Sequence, residues 1–260
     1  MPKFFVKRNQ IKDNIVTITG KDVNHIKNVL RLNINDNIQI CNIDTLENYT
    51  CEITKLDYSN IECNIINKIN SETEPNTHVT VFQGLPKADK MELIIQKSVE
   101  LGVYEISPVK MERCVVKLDE KTKFKKVERW QKISETAAKQ AGRDIIPKIN
   151  LPINIKNICK LIGEYDIVLL AYEKEEKNTL KEELQKYKIN QNKNLNIGII
   201  IGPEGGLEEN EVEELVKYGA IPITLGKRIL RTETVAFTLI SIIMYELDDL
   251  GGVLNEEKCN

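Results

Sequence analysis

With 260 residues, 41% of them hydrophobic, the chain can bury the core of one large domain or of two small ones. Its 37 Lys and Arg against 39 Asp and Glu leave a formal net charge of −2, which excludes a protein-wide positive field for drawing in polyanions. The six cysteines (Cys41, Cys51, Cys63, Cys114, Cys159, Cys259) form no C-x-x-C pair, and the only histidines are His25 and His78, so no metal site is expected.

The first eight residues, Met1 to Arg8, lack the apolar stretch of a signal peptide, and no segment is long enough to span a bilayer. The expected location is the cytoplasm. Period-two alternation then marks strands at Ile38 and Ile40, at Cys51 and Ile53, and at Ile61, Cys63 and Ile65. Cys51 and Cys63 read as small core residues. One helix interrupts these strands, with Asp22 as its expected N-cap and Val23, Ile26, Val29 and Leu30 on one face. The polar run Ser71 to Thr77 contains Pro75 and is the expected linker.

Beyond it the pattern becomes α/β. Val79–Phe82 reads as a strand, and Met91, Ile94, Ile95 and Val99 form the apolar stripe of a helix ending at Gly102. Ile167–Leu170, Ile197–Ile201 and Ile221–Leu225 are continuous apolar runs, as expected for parallel strands covered on both faces. The last helix, Val235–Leu247, has Val235, Leu239, Ile242 and Ile243 on one side and Phe237, Ile240 and Met244 on another. A helix apolar nearly all round is buried on two sides, one against its own sheet and one against a second subunit.

Two strand-to-helix junctions stand out. One is Ile201-Gly202-Pro203-Glu204-Gly205-Gly206-Leu207, the other Leu225-Gly226-Lys227-Arg228-Ile229-Leu230-Arg231-Thr232-Glu233-Thr234. Glycine there exposes backbone groups to close approach by a ligand. Neither junction has the G-x-G-x-x-G or P-loop spacing, which argues against a dinucleotide site or an ATPase. Thr232 can cap the final helix, and Glu233 suits its positive end. Arg228 and Arg231 oppose that dipole, so another partner is expected to hold them there.

The order strand–GPEGGL–acidic helix–strand–LGKRILRTET–apolar helix resembles the C-terminal half of the SPOUT methyltransferases, and more narrowly the RsmE family. Leu85–Lys97, Glu112–Lys117, Lys139–Arg143 with Pro147, and His25–Leu32 carry the same resemblance over essentially the whole chain. It implies an α/β fold: a C-terminal SPOUT-type, trefoil-knotted α/β domain with a small N-terminal PUA-like β-barrel. The expected domains are residues 1–71 (RNA-binding barrel) and 76–250 (methyltransferase), with an acidic tail over 251–260. The implied activity is methylation of N3 of a uridine in small-subunit (16S) ribosomal RNA, within the 30S subunit, by a homodimer using S-adenosylmethionine.

Carried over residue by residue, the resemblance implies a cofactor site of Leu170, Ala171, Ile201, Gly202, Pro203, Glu204, Gly205, Leu225, Gly226, Ile229, Leu230, Arg231, Thr232 and Thr234. Lys227 stands where family members often carry proline. Because uridine N3 must lose a proton before it attacks, the catalytic candidates are Arg231, then Arg143, to stabilise negative charge, and Glu233 as a base or as the partner of an arginine. Lys87, Lys90, Arg113, Lys117, Arg143 and Arg31 are the RNA-contact candidates. Residues 110–143 hold eleven Lys or Arg and five Asp or Glu, and residues 1–31 hold seven and two, which suits RNA phosphates at a defined patch. Two alternatives stay open: a SPOUT enzyme acting on a ribose 2′-hydroxyl or another base, and a non-catalytic RNA-binding ribosome-assembly protein. The intact junctions weigh against the second.

Overall fold

The computed structural model describes residues 1–70, 73–188 and 194–250. The expected acidic tail over 251–260, Cys259, and Ser71 and Glu72 of the expected linker lie outside the described residues. Contacts divide the chain into two compact units, Met1–Glu74 with Ala138–Ile146, and Pro75–Ala137 with the chain from Pro147 onward.

The first unit contains β1 (Lys3–Val6), β2 (Ile11–Lys12), β3 (Ile15–Thr19), α1 (Lys21–Asn24), β4 (Asn37–Asn42), β5 (Asn48–Leu56) and β6 (Asn60–Ile69). They form one sheet in the order β1-β4-β5-β6-β3-β2, with β1 and β4 parallel and the other pairs antiparallel. Alternate residues of its strands, among them Phe4, Val16, Ile18, Ile38, Ile40, Cys51, Ile53, Ile61 and Cys63, meet in a single core, so the sheet curls around them. Burial pushes the Cys51 and Cys63 thiols up to about 12, which leaves them as inert core residues.

The expected helix is shorter than its pattern. Gly20, not Asp22, is the N-cap, and the Asp22 carboxylate accepts from Lys139 Nζ at 2.9 Å. After Asn24 the chain enters a π-helical turn, His25–Val29, closed by Leu30 N–H to His25 O. The wider turn shifts the 3.6-residue register, so Val23 and Ile26 are buried while Val29 and Leu30 are exposed.

Residues 138–146 cover the outer side of this sheet. Lys3, which alternation turns away from the core, forms a buried ion pair with Asp144, and Cys41 Sγ contacts Asp144 O at 3.3 Å. Arg143 is 4% exposed and ion-paired with Glu74, Nη2 to Oε2 at 2.6 Å. Glu74 also accepts from the N–H groups of Asp144 (2.7 Å) and Ile145 (3.2 Å).

The second unit contains β7 (His78–Gly84), α2 (Lys90–Glu100), β8 (Glu105–Lys110), α3 (Glu120–Gln140, its end in the first unit), β9 (Lys148–Ile149), β10 (Ile153–Asn154), α4 (Ile155–Leu161), β11 (Ile167–Ala171), α5 (Leu180–Lys188), β12 (Asn196–Ile201), α6 (Glu209–Lys217), β13 (Ile221–Ile223) and α7 (Thr232–Glu246). The main sheet is parallel throughout, in the order β10-β8-β7-β12-β11-β13, with β9 beside β8. Phe82, Val168, Leu170 and Ile200 pack towards α4 and α6, through Ile155, Ile158, Val212 and Leu215. Each such fully buried side chain contributes roughly 1.5–3 kcal/mol. α7 packs on α2, α5 and β12.

Its buried stripe is Ala236, Leu239, Ile240, Ile243 and Met244, a single i, i+3, i+4 face, with Val235, Phe237 and Ile242 left half-buried outside it. The two apolar sides expected from the sequence are thus partitioned differently. α7 also begins at Thr232, three residues earlier than the apolar run suggested.

Candidate functional site

The strand order reverses at β7 and β12: the chain builds outward through β8 and β10, then returns to lay β11 beside β12. Ligands of open α/β sheets bind outside the carboxyl ends of the strands at such a point. Ladder register aligns Gln83, Ile201, Ala171 and Ile223 in one row across β7, β12, β11 and β13 at this edge. The two junctions singled out in the sequence follow β12 and β13 at Ile201 and Ile223 of this row.

Those junctions are tied together through Thr232. Its hydroxyl donates to Gly202 O (2.7 Å) and accepts from Gln83 Nε2 (2.8 Å), with Thr232 6% and Gln83 0% exposed. Thr232 therefore does not cap α7; Arg231 occupies the N-cap position, with extended backbone and no side-chain cap bond. Gln83 escaped the sequence reading, although a glutamine ending the apolar strand Val79–Phe82 was a visible signal.

The loop after β12 is packed tightly. A Cβ on Gly84 would sit 2.6 Å from Pro203 N, and one on Gly202 would sit 2.9 Å from Leu207 Cδ1 and 3.1 Å from Gly206 C. Gly206 has φ +72° and closes a turn, its N–H donating to Pro203 O at 2.9 Å. Arg113 clamps this loop from β8's side, donating to Gly205 O (2.9 Å) and to both oxygens of Glu208 (2.7 and 3.0 Å). The loop after β13 is open. Gly226 has φ +94° with nothing near its Cβ position, Ile229 is 90% exposed, and Arg228 and Arg231 are exposed. Among the described residues, the N–H groups of Lys227 to Leu230 have no protein acceptor.

Of the residues expected at a cofactor site, Leu170, Ile201, Pro203 and Thr232 are buried, so what the first three offer a ligand is backbone. Gly202, Ala171, Leu225 and Leu230 are half-buried; Glu204, Gly205, Gly226, Ile229, Arg231 and Thr234 are exposed. The expected RNA contacts scatter. Lys87 and Lys117 are exposed in the second unit and Arg31 in the first, where it adopts φ +54°. Lys90 is instead part of an ionic bridge: its Nζ lies 3.1 Å from Glu204 Oε1 and 3.3 Å from Glu233 Oε2. The latter contact is off-axis, and Glu233 Oε2 has no hydrogen-bond partner among the described residues.

Glu233 therefore faces a lysine, not the arginine anticipated. The hydrogen bond to Glu204 chiefly raises the Lys90 pKa, against desolvation. Burial pushes Glu204 up, but N–H donation from its own backbone and from Lys87, together with Lys90, holds it below the usual carboxylate range. Arg143 belongs to the first unit, where it is ion-paired with Glu74. Among the described residues no group of three His, Cys, Asp or Glu is placed to hold a metal, and no helix is long and apolar enough to cross a membrane.

The sequence matches an RNA methyltransferase domain over residues 73–244 and an RNA methyltransferase PUA domain over residues 18–66. It is 36% identical to the ribosomal RNA small subunit methyltransferase E of Bacillus subtilis, covering 97% of this chain and 99% of that protein. The chain belongs to the ribosomal RNA small subunit methyltransferase E (RsmE) family. A family member from Neisseria gonorrhoeae, solved bound to S-adenosyl methionine, superposes with a TM-score of 0.81 at 30% identity, covering 94% of this chain and 97% of that one. A putative methyltransferase from Legionella pneumophila, in complex with the same cofactor, gives 0.82 at 26% identity over 94% and 96%. The RsmE resemblance drawn from GPEGGL and LGKRILRTET is borne out, as are the PUA-like curled sheet and the parallel α/β unit.

Proposed function

We propose that the protein is an S-adenosylmethionine-dependent methyltransferase that modifies N3 of a uridine in small-subunit ribosomal RNA, acting as a homodimer on the 30S subunit in the cytoplasm. The observation that carries this reading is the junction 225–231: an open loop with free backbone donors, held by Thr232 to Gly202 and Gln83, and ending in an exposed arginine.

The residues present fit the cofactor. Among the described residues, Lys227 to Leu230 offer N–H groups without protein acceptors, Gly226 leaves open space, and Ala171, Ile201 and Gly202 line the strand ends beside them. S-adenosylmethionine supplies an electrophilic methyl group when bound. The chain's own contribution is positioning and charge. Uridine N3 must shed its proton as it forms the N–CH3 bond, so negative charge develops on the base. Arg231 places a guanidinium at the N-terminus of α7, where the helix dipole adds to the same positive potential. Glu233 serves as the partner of Lys90, which fixes the Glu204 loop, and the proton leaves to water. Threading of the chain through the two junctions, as in the knotted SPOUT enzymes, is part of the same reading. Along α7, half-buried Val235, Phe237 and Ile242 and the 66% exposed Tyr245 offer a second copy an apolar face.

Labelled S-adenosylmethionine, purified protein and small subunits lacking the modification test this proposal, with the product nucleoside identified by mass spectrometry. N3-methyluridine is the expected product. A 2′-O-methylated ribose or another methylated base would overturn the substrate assignment.

A further inference from the structure

Helix α3 opens at the carboxyl edge of the parallel sheet. β8 ends at Lys110, and the segment 111–119 after it is bound to the loop following β12 through Arg113 Nη1 to Gly205 O (2.9 Å) and to α6 through Glu112 N–H to Glu211 Oε1 (2.9 Å). Ten residues of sequence, 117–126, then bring five lysines against Asp119 and Glu120. The Asp119 carboxylate is engaged by the Thr122 N–H (2.7 Å) and hydroxyl (2.6 Å).

Phe124 and Lys125 lie at i+3 and i+4 from Lys121, so the ring and two lysines share one face of the helix. Phe124 is 55% exposed, whereas Trp130 on the core side of the helix is 4% exposed. Lys123 lies over the Phe124 ring at 5.2 Å and Lys126 over Trp130 at 5.9 Å, while Lys117, Lys121 and Lys125 are exposed without an ion pair among the described residues. Like charges at i and i+4 destabilise a helix, and an exposed ring among them gains nothing from the core. Positive charge interleaved with an open aromatic face is what an unpaired polynucleotide strand needs, phosphates on the lysines and a base on the ring. A duplex keeps its base faces stacked and offers none to Phe124.

We propose that the first turns of α3 form a track for unpaired RNA, with phosphates on Lys117, Lys121 and Lys125 and one base stacked on Phe124. The track rests on the RNA-methyltransferase reading only for the presence of an RNA substrate. It adds the strand state that the substrate must have beside the site.

Fluorescence anisotropy of the full chain tests it, with a labelled oligouridylate of about ten nucleotides and an RNA duplex as probes, titrated at several salt concentrations. Phe124→Ala should weaken single-strand binding by about 5- to 100-fold and leave the duplex unaffected, and Phe124→Trp should restore it. Lys121→Gln with Lys125→Gln should reduce the slope of log affinity against log salt by about 1.4, from about 0.7 per single-strand phosphate contact. Unchanged melting temperatures with and without S-adenosylmethionine would report that the variants are folded. Single-strand affinity and salt slope equal to wild type in both variants would overturn the track. If these differences appear but no transfer to small subunits occurs, the track stands and the substrate reading falls. If the variants bind RNA as wild type does and still form N3-methyluridine, the track falls and the substrate reading stands.

Discussion

The junctions after β12 and β13 both carry glycine, for opposite reasons. At Gly84 and Gly202 a Cβ would meet backbone or a packed leucine within 3 Å, so these glycines let strand-end loops close on each other. Gly226 has open space around it and needs glycine for its left-handed backbone. The first junction is scaffold and the second faces solvent with free donors. The same contrast separates two arginines selected from the sequence for the same task. Arg143 is nine-tenths buried in an ion pair, while Arg231 is exposed on the open junction. Residue type nominated both; surroundings divide them.

The sharpest way to break this comparison is to exchange the arginines' fates. Arg143→Ala leaves Glu74 without its buried partner and should cost about 3 kcal/mol of stability, as loss of one member of a buried pair does. Urea unfolding would show it, and turnover per folded molecule should persist. Arg231→Ala should leave the unfolding midpoint in place and lower turnover about 10²- to 10³-fold, the range for removing one preorganised charge donor. Equal losses of stability in the two variants would erase the distinction.

The glycines come next. Gly202→Ala should destabilise by about 1–3 kcal/mol through overpacking against Leu207 and Gly206, and should abolish the thermal shift produced by S-adenosylmethionine. Gly226→Ala meets no neighbour and should cost only about 1 kcal/mol from its left-handed φ. A larger destabilisation at Gly226 than at Gly202 would reverse the assignment of scaffold and open loop.

The smallest effect concerns Glu204. Its carboxyl is held below the ordinary glutamate value of about 4.3, so its stabilising contribution is present above that value and is lost as pH falls through the lower folded pKa. Glu204→Gln should therefore be less stable than wild type at pH 7, by at most about 1 kcal/mol for this partly exposed pair, and the gap should close below pH 4. A gap that widened in acid would mean that Glu204 is not the anchor of Lys90.

Much of the fold was legible because it is written in local patterns. The alternation at Ile38/Ile40, Cys51/Ile53 and Ile61/Cys63 and the apolar runs at Ile167–Leu170 and Ile197–Ile201 specify strands wherever they meet a partner, and the two junction motifs specify the family. Other features depend on who covers whom. Ala138–Ile146 joins the first unit through Lys3, Cys41 and Glu74, residues far away in sequence that no period could connect to it. Val29 and Leu30 left the core because a π-turn widened the helix before them. The Gln83–Thr232–Gly202 link, the Lys90 bridge and the commitment of Arg143 to Glu74 arise from side chains brought together by strand order. Sequence alone determined the strand pattern and the family, since periodicity and motif are properties of neighbouring residues. Only the tertiary structure decided which charges are spent on holding the protein and which are left facing solvent, because the partner of a charge is fixed by distance in space.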